Sequence, residues 1–115
     1  MKKPTLLIVD DEKNILTSLS RSLSGNYHVK TALTGEESLT ILKENEIDLV
    51  LLDVKLPGMD GLEVLQKAME MDRDLVVIVM SAHATTIDDA VKAIKLGAID
   101  YLEKPFYIKY PVWAM

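Results

Sequence analysis

Three runs of consecutive apolar residues predict buried strands in this chain. They are Leu6-Leu7-Ile8-Val9, Leu49-Val50-Leu51-Leu52 and Leu75 to Met80. A short run without polar alternation is typical of a strand that is covered on both faces of a sheet. Two further segments, Tyr27 to Leu33 and Ile99 to Leu102, predict a more exposed strand near a sheet edge and a short fifth strand.

Between these runs the apolar residues recur every three or four positions, which predicts amphipathic helices. Gly25-Asn26 is expected to end the first helix, and the capping-box pattern Thr34-Gly35-Glu36-Glu37 to begin the second. Asp60 is expected to cap the third helix, and Gly97 to close the fourth. The predicted buried positions are Ile15, Leu16, Leu19 and Leu23 in the first helix, Leu39, Ile41 and Leu42 in the second, Leu62, Leu65, Ala68 and Met69 in the third, and Ile87, Ala90, Val91, Ile94 and Ala98 in the fourth.

Strand and helix therefore alternate strictly, with short connections. Strands that are joined through helices run parallel, and right-handed crossovers place the helices on both faces of the sheet. The pattern predicts an α/β fold, a three-layer sandwich around a five-stranded parallel sheet.

Length, composition and charge narrow the class of protein. With 115 residues the chain fits one domain that a hydrophobic core can hold together, and the absence of cysteine excludes disulfides and thiolate catalysis. No apolar run reaches the roughly 18 residues of a bilayer span, which favours a cytoplasmic protein without a membrane partner. A net charge of -5 gives no basic surface for nucleic acid, so direct nucleic acid binding is not expected.

Polar residues at the ends of the predicted strands form a candidate site. The carboxyl ends of neighbouring parallel strands line one crevice, so Asp10, Asp11 and Asp53 are expected to converge. Carboxylate oxygens, a backbone carbonyl and water suit octahedral Mg²⁺ better than a softer ion. Ser81 and Lys104 are expected at the same edge, where a hydroxyl and an ammonium group can bind phosphoryl oxygens.

These residues carry a resemblance to a known family. The chain resembles the receiver domains of two-component response regulators, most closely those attached to sigma-54-dependent transcription activators, over about residues 5 to 106. We therefore expect a receiver domain at 1–106, with the flavodoxin-like strand order 2-1-3-4-5 that the resemblance implies. The motifs are Val9-Asp10-Asp11-Glu12, Leu52-Asp53-Val54-Lys55-Leu56-Pro57-Gly58-Met59-Asp60-Gly61, Met80-Ser81-Ala82-His83 and Tyr101-Leu102-Glu103-Lys104-Pro105-Phe106.

The resemblance implies a role for each candidate residue. Asp53 would accept a phosphoryl group from a phosphohistidine of a sensor histidine kinase. Asp10 or Asp11, with Asp11 favoured, would hold Mg²⁺ together with Asp53 and the backbone carbonyl of Lys55. Lys104 would neutralise charge on the transferring group.

The remaining implied roles concern switching and hydrolysis. Ser81 would follow the phosphoryl group, and Tyr101 would then turn inward. Lys55 and His83 would tune the rate of dephosphorylation, and Pro105 would follow a cis peptide bond. Such a domain is a signalling switch that catalyses only its own phosphorylation and dephosphorylation, and is not a turnover enzyme.

The end of the chain departs from the family pattern. Receivers end in a fifth helix, whereas residues 107–115 form a short aromatic segment in which Pro111 disfavours helix. The fifth helix is therefore predicted to be missing or replaced, which would leave apolar sheet surface open. The tail could fold over that surface, a second copy could cover it, or the protein could aggregate; we favour a homo-oligomer.

Three alternative functions share parts of this pattern. A phosphatase of the haloacid dehalogenase type wants an acid two residues after the nucleophile, where this chain has Lys55. A flavin mononucleotide binder wants a phosphate-binding loop after the first strand, where the acidic residues beginning at Asp10 would repel phosphate. A receiver-like interaction module that is not phosphorylated is the main alternative.

Overall fold

The computed structural model describes residues 3–82 and 87–104. Five strands and four helices alternate along this part of the chain. The strands are β1 (Thr5–Val9), β2 (His28–Ala32), β3 (Leu49–Asp53), β4 (Val76–Ala82) and β5 (Asp100–Lys104). The helices are α1 (Lys13–Leu23), α2 (Gly35–Glu44), α3 (Gly61–Met71) and α4 (Ile87–Leu96).

All five strands are parallel and form one sheet in the order β2-β1-β3-β4-β5. The predicted fold class and the strand order implied by the resemblance are therefore confirmed. β3 lies in the middle, where four of its five residues are buried. β2 lies at an edge and exposes three of its five residues, as its mixed polar pattern predicted.

The residues of β1 and β3 alternate between two hydrophobic clusters, one on each face of the sheet. Leu6, Ile8 and Leu51 pack with the buried face of α1. Leu7 and Val50 face the other way, toward α2, α3 and α4. Because both faces need apolar cover, the strands are continuous apolar runs, and the predicted three-layer sandwich is confirmed.

The second helix begins as its sequence predicts. Thr34 occupies the N-cap position with extended backbone, and its Oγ1 accepts a hydrogen bond of 3.1 Å from the Glu37 N–H. Such a cap satisfies one of the N–H groups that a helix leaves free at its first turn. The start of α2 is therefore set by the sequence around Thr34.

The buried side of α4 differs from the prediction. Val91 and Ile94 were expected in the core, but they are 44% and 48% exposed, whereas Ala93 is completely buried. A helix that packs through a small residue lies close to its neighbours, and the larger apolar residues beside the contact line then stay at the rim. Val64 in α3 is also buried without having been predicted.

The cap of α3 matches the prediction in its position and differs from it in its hydrogen bonding. Asp60 occupies the N-cap position, but within the described residues its side chain makes no capping hydrogen bond. The first N–H of the helix, that of Gly61, instead donates to the backbone carbonyl of Val54 at 3.0 Å. A backbone acceptor from the loop after β3 thus takes over part of the capping.

Three predictions fall outside the described residues. They concern His83, the cis bond before Pro105, and the tail at 107–115 with its missing or replaced fifth helix. Among the residues that the structure describes, no helix has the length and apolar character needed to cross a bilayer.

Candidate functional site

Two buried aspartates mark the carboxyl ends of the central strand and its neighbour. Asp10 directly follows β1, and Asp53 is the last residue of β3, which pairs with β1. Their residues are 0% and 4% exposed. Parallel pairing places both strand ends at one edge of the sheet, so residues 43 positions apart in the sequence become neighbours.

The two carboxylates are held in the same way. Oδ1 of Asp10 accepts a hydrogen bond of 2.9 Å from the Glu12 N–H, and Oδ1 of Asp53 accepts one of 3.0 Å from the Lys55 N–H. Each aspartate therefore forms a local turn with the backbone two residues later. The turn fixes one oxygen of each carboxylate and leaves Oδ2 for other partners.

Lys104, the last residue of β5, contacts both free oxygens. Its Nζ lies 2.6 Å from Oδ2 of Asp10 and 3.0 Å from Oδ2 of Asp53. The lysine side chain is only 12% exposed, so these ion pairs are largely shielded from solvent. A buried pair of this kind orients its members, because a lost partner leaves an uncompensated buried charge.

Burial and mutual attraction shift the pKa values of these groups in ways that matter for chemistry. Burial raises the pKa of Asp53, and the nearby charge of Asp10 adds to the increase, while the Lys55 N–H and Lys104 oppose it. For Lys104, burial alone would lower the pKa, but the hydrogen bonds to Asp10 and Asp53 outweigh it and the pKa is raised. Lys104 therefore stays protonated at neutral pH.

A group of three acids extends the site toward solvent. One carboxylate oxygen each of Asp10, Asp11 and Glu12 lies within 4.8 Å of the others, and Asp11 and Glu12 are exposed. Asp11 was predicted as the favoured metal ligand, whereas Glu12 was not singled out. Its place directly after two aspartates was the signal in the sequence.

The donor set fits a hard divalent cation. Apart from the ion pair with Lys104, Oδ2 of Asp10 has no hydrogen-bond donor among the described residues, although it is fully buried. Lys104 pairs with Asp10 and Asp53, and Asp10 also belongs to the group with Asp11 and Glu12, so acids outnumber the ammonium group around Asp10. Oxygen ligands and excess negative charge are what Mg²⁺ and Ca²⁺ require.

Ser81 and Tyr101 lie beside this centre on β4 and β5. Ser81 follows Met80, which pairs with Asp53 across the sheet, and it is completely buried. Its Oγ and the hydroxyl of Tyr101 share a hydrogen bond, and Tyr101 is half-buried. The two residues that were predicted to switch are therefore in direct contact.

The structure brings three of the candidate residues into direct contact. Asp10, Asp53 and Lys104 share one cluster of contacts, while Lys55 contributes its N–H and keeps its side chain exposed. His83 and Pro105 were also candidates, but they lie outside the described residues.

Comparison with known proteins identifies this arrangement. A family model described as "Response regulator receiver domain" matches residues 6–110. The chain belongs to the response regulator receiver domain family. As a receiver it is a signalling domain, in agreement with the resemblance of its motifs.

Individual relatives support the same assignment. The transcriptional regulatory protein PrrA of Mycobacterium tuberculosis is 41% identical over 106 residues, which are 91% of this chain and 45% of PrrA. This receiver thus spans less than half the length of that relative.

Solved structures match across nearly the whole fold. A CheY-like receiver domain protein from Methanospirillum hungatei has a TM-score of 0.88 at 32% identity, covering 92% of this chain and 85% of its own. A response regulator from Burkholderia pseudomallei, solved with a phosphorylated aspartic acid and a calcium ion, has a TM-score of 0.85 at 26% identity, covering 92% of this chain and 62% of its own.

Proposed function

We propose that this receiver is a phosphoacceptor and that Asp53 takes the phosphoryl group from a phosphohistidine of a sensor histidine kinase. One observation carries the proposal. Asp53 is the last residue of the central strand, it is buried, and its carboxylate lies 3.0 Å from the ammonium group of Lys104. The phosphorylated aspartic acid in the Burkholderia pseudomallei relative supports it.

The geometry assigns different tasks to the two oxygens of Asp53. Oδ1 is held by the Lys55 N–H, whereas Oδ2 faces Lys104. In the transfer, a carboxylate oxygen bonds to phosphorus while the bond between phosphorus and the donor nitrogen breaks. Because both the nucleophile and the phosphoryl group are anionic, Lys104 lowers the barrier by neutralising charge on the transferring oxygens.

Mg²⁺ is the proposed cofactor. Asp10, Asp11, Asp53 and the backbone carbonyl of Lys55 are the proposed ligands, with Glu12 beside them. When bound, the ion would neutralise phosphoryl oxygens and position the donor for in-line attack. Lys104 already contacts Asp10 and Asp53, so these two acids are oriented by the protein itself.

Ser81 and Tyr101 are the proposed switch. A serine hydroxyl has one proton to donate and can accept a second hydrogen bond. Ser81 can therefore donate to a phosphoryl oxygen while it accepts from the Tyr101 hydroxyl, and each bond strengthens the other. In this proposal phosphorylation tightens the contact that the structure already contains, and the surface around Tyr101 responds.

Further parts of the proposal concern context. The receiver would catalyse only its own phosphorylation and dephosphorylation, with Lys55 and His83 tuning hydrolysis, in the cytoplasm. Attachment to a sigma-54-dependent activator, the domain division at residue 106, homo-oligomer formation, and the absence of direct nucleic acid binding by this chain all stay predictions.

Incubation with acetyl phosphate tests the phosphoacceptor proposal without knowledge of the kinase. We expect the intact mass to increase by one phosphoryl group in Mg²⁺ and to stay unchanged when EDTA removes the ion. A protein that gains no mass at any Mg²⁺ concentration, while its circular dichroism shows it folded, contradicts the proposal and favours an interaction module.

A further inference from the structure

Gly61, the first residue of α3, approaches the end of β3 more closely than any side chain would allow. A Cβ atom placed at position 61 would overlap the carbonyl oxygen of Asp53. It would also lie 2.6 Å from Cα and 2.7 Å from the carbonyl oxygen of Val54, whereas real Cβ contacts essentially never fall below 3.0 Å. All three obstructing atoms belong to the backbone, so no flexible side chain can move aside.

Space, and not backbone conformation, therefore requires glycine here. The glycines with positive φ in the described residues are Gly58 and Gly97, not Gly61. At this close approach the Gly61 N–H donates to the Val54 carbonyl at 3.0 Å. Separately, the Val54 N–H donates to the Met80 carbonyl of β4 at 3.0 Å. The Asp53–Val54 peptide is thus held from β4, and the Val54–Lys55 peptide is held from α3.

The Val54–Lys55 peptide carries the donor that orients the Asp53 carboxylate. Lys55 directly follows Val54, and its N–H donates to Oδ1 of Asp53 at 3.0 Å. A displacement of Val54 would move that N–H and turn the carboxylate away from Lys104. Misplacement of a reacting group by about 1 Å can cost on the order of 100-fold in rate.

We propose that Gly61 is a positioning residue for the phosphoacceptor: its missing side chain lets α3 seat the Val54 peptide, which in turn fixes the Asp53 carboxylate through the Lys55 N–H. The inference rests on the proposed function of Asp53. It adds that the start of α3 sets the geometry of the nucleophile as well as stabilising the fold.

The test compares three variants. We expect Gly61→Ala to lower the rate of phosphorylation by acetyl phosphate by about 10- to 100-fold and to shift the Lys55 amide resonance. Gly25→Ala is the matched glycine control, because no described atom lies within 4 Å of a Cβ at that position. Leu23→Val, which trims a fully buried residue of α1 on the other face, controls for stability loss.

The amide resonance separates positioning from stability and from the phosphorylation chemistry. A folded Gly61→Ala protein with the wild-type rate and an unchanged Lys55 resonance would overturn the inference, as would an equal loss of rate in Leu23→Val. If the wild type accepts no phosphoryl group, the proposed function fails, while the Lys55 resonance still tests the positioning.

Hydrogen exchange in the wild type gives an independent test if Gly61→Ala does not fold. We expect the Gly61 and Lys55 amides to exchange through one shared opening, because both depend on the seated Val54 peptide. Exchange of Lys55 through a separate and more frequent opening would contradict the inference.

Discussion

Asp48 and Asp53 stand at opposite ends of the central strand β3 and show how differently its two ends are built. Asp48, just before the strand, is exposed, and its Oδ2 accepts a hydrogen bond of 2.8 Å from the Thr5 N–H. Asp53, at the other end, also accepts from a backbone N–H, but it is buried beside Asp10 and Lys104. The same residue type thus meets solvent at one end and a second acid at the other.

The difference lies in what surrounds each carboxylate. At the amino end of β3 the carboxylate is exposed and accepts a hydrogen bond from the Thr5 N–H of β1. At the carboxyl end, burial raises the pKa of Asp53 and the charge of Asp10 raises it further. Burial disfavours the charged form of Asp53, and Lys104 partly compensates. Carboxyl groups with pKa values perturbed in this way cluster at functional sites.

Removing each carboxylate in turn should give the largest contrast. We expect Asp53→Asn to abolish phosphorylation by acetyl phosphate, because the amide lacks the nucleophilic oxygen, and Asp48→Asn to keep the wild-type rate. The intact mass of each variant after incubation with Mg²⁺ measures this. Phosphorylation of Asp53→Asn, or its loss in Asp48→Asn, would refute the distinction between the two ends.

Lys104→Met should have the next largest effect. The pKa of Lys104 is raised by its bonds to Asp10 and Asp53, so the charged lysine stabilises the native state at neutral pH, and this contribution is lost only as the pH rises through the raised pKa. Without the lysine, two buried carboxylates lack a cation. We expect the free energy of unfolding, measured with urea, to fall by about 3 kcal/mol. The phosphorylation rate should fall by about 100-fold.

Lys67→Met is the matched control for that variant. Lys67 lies on α3, where its Nζ is 3.8 Å from Glu63 and both side chains are about half exposed. An exposed pair of this kind contributes little to stability, so the control should unfold like the wild type. A Lys104→Met protein that matches Lys67→Met in stability and rate would contradict the account.

The pH dependence of stability tests the burial of Asp53. Because burial raises its pKa above the ordinary value of 3.8, the ionised carboxylate costs the native state free energy above the raised pKa. Below the ordinary value this cost is absent in both states. We therefore expect Asp53→Asn to exceed the wild type in free energy of unfolding at neutral pH, by an amount that disappears as the pH falls below the ordinary value.

Urea titrations of both proteins across this range measure the effect. A variant that is less stable than the wild type at neutral pH would show that Lys104 and the Lys55 N–H outweigh burial, contrary to the direction expected here.

Tyr101→Phe should have the smallest effect of the four. It removes the hydroxyl that bonds to Ser81 but keeps the ring, so we expect a loss of about 1 kcal/mol in unfolding free energy. The phosphorylation rate should stay within about twofold, because the Tyr101 hydroxyl bonds to Ser81 and not to the reacting carboxylate. A large loss of rate would move Tyr101 from the switch to the chemistry.

The buried strands could be predicted from sequence because each is an uninterrupted apolar run. The face of α4 could not, since Val91, Ile94 and the buried Ala93 lie on adjoining lines of one helix. Periodicity identifies the apolar side of a helix but not which line makes the contact. The bonding at the start of α3 could not be predicted either, because the Gly61 N–H finds its acceptor in the Val54 carbonyl, on a loop whose path the local pattern does not give.

The sequence predicted which residues form the site better than it predicted their individual contacts. The ends of the predicted strands indicated that Asp10, Asp53 and Lys104 lie at the same edge of the sheet. Their division of labour depends on tertiary geometry: Asp10 is buried against Lys104, whereas Asp11 remains exposed. The requirement for Gly61 was hidden for the same reason, because only the packing of α3 on the strand end shows the lack of space.

The most direct measurement locates the phosphoryl group. Protein treated with acetyl phosphate and Mg²⁺ is reduced with borohydride, which converts a phosphorylated aspartate to homoserine, and is then mapped by peptide mass spectrometry. We expect the conversion at Asp53 alone. Conversion at Asp48, Asp10 or Asp11, or unconverted Asp53 in a folded protein, would contradict the claim that the carboxyl end of β3 is the phosphoacceptor site.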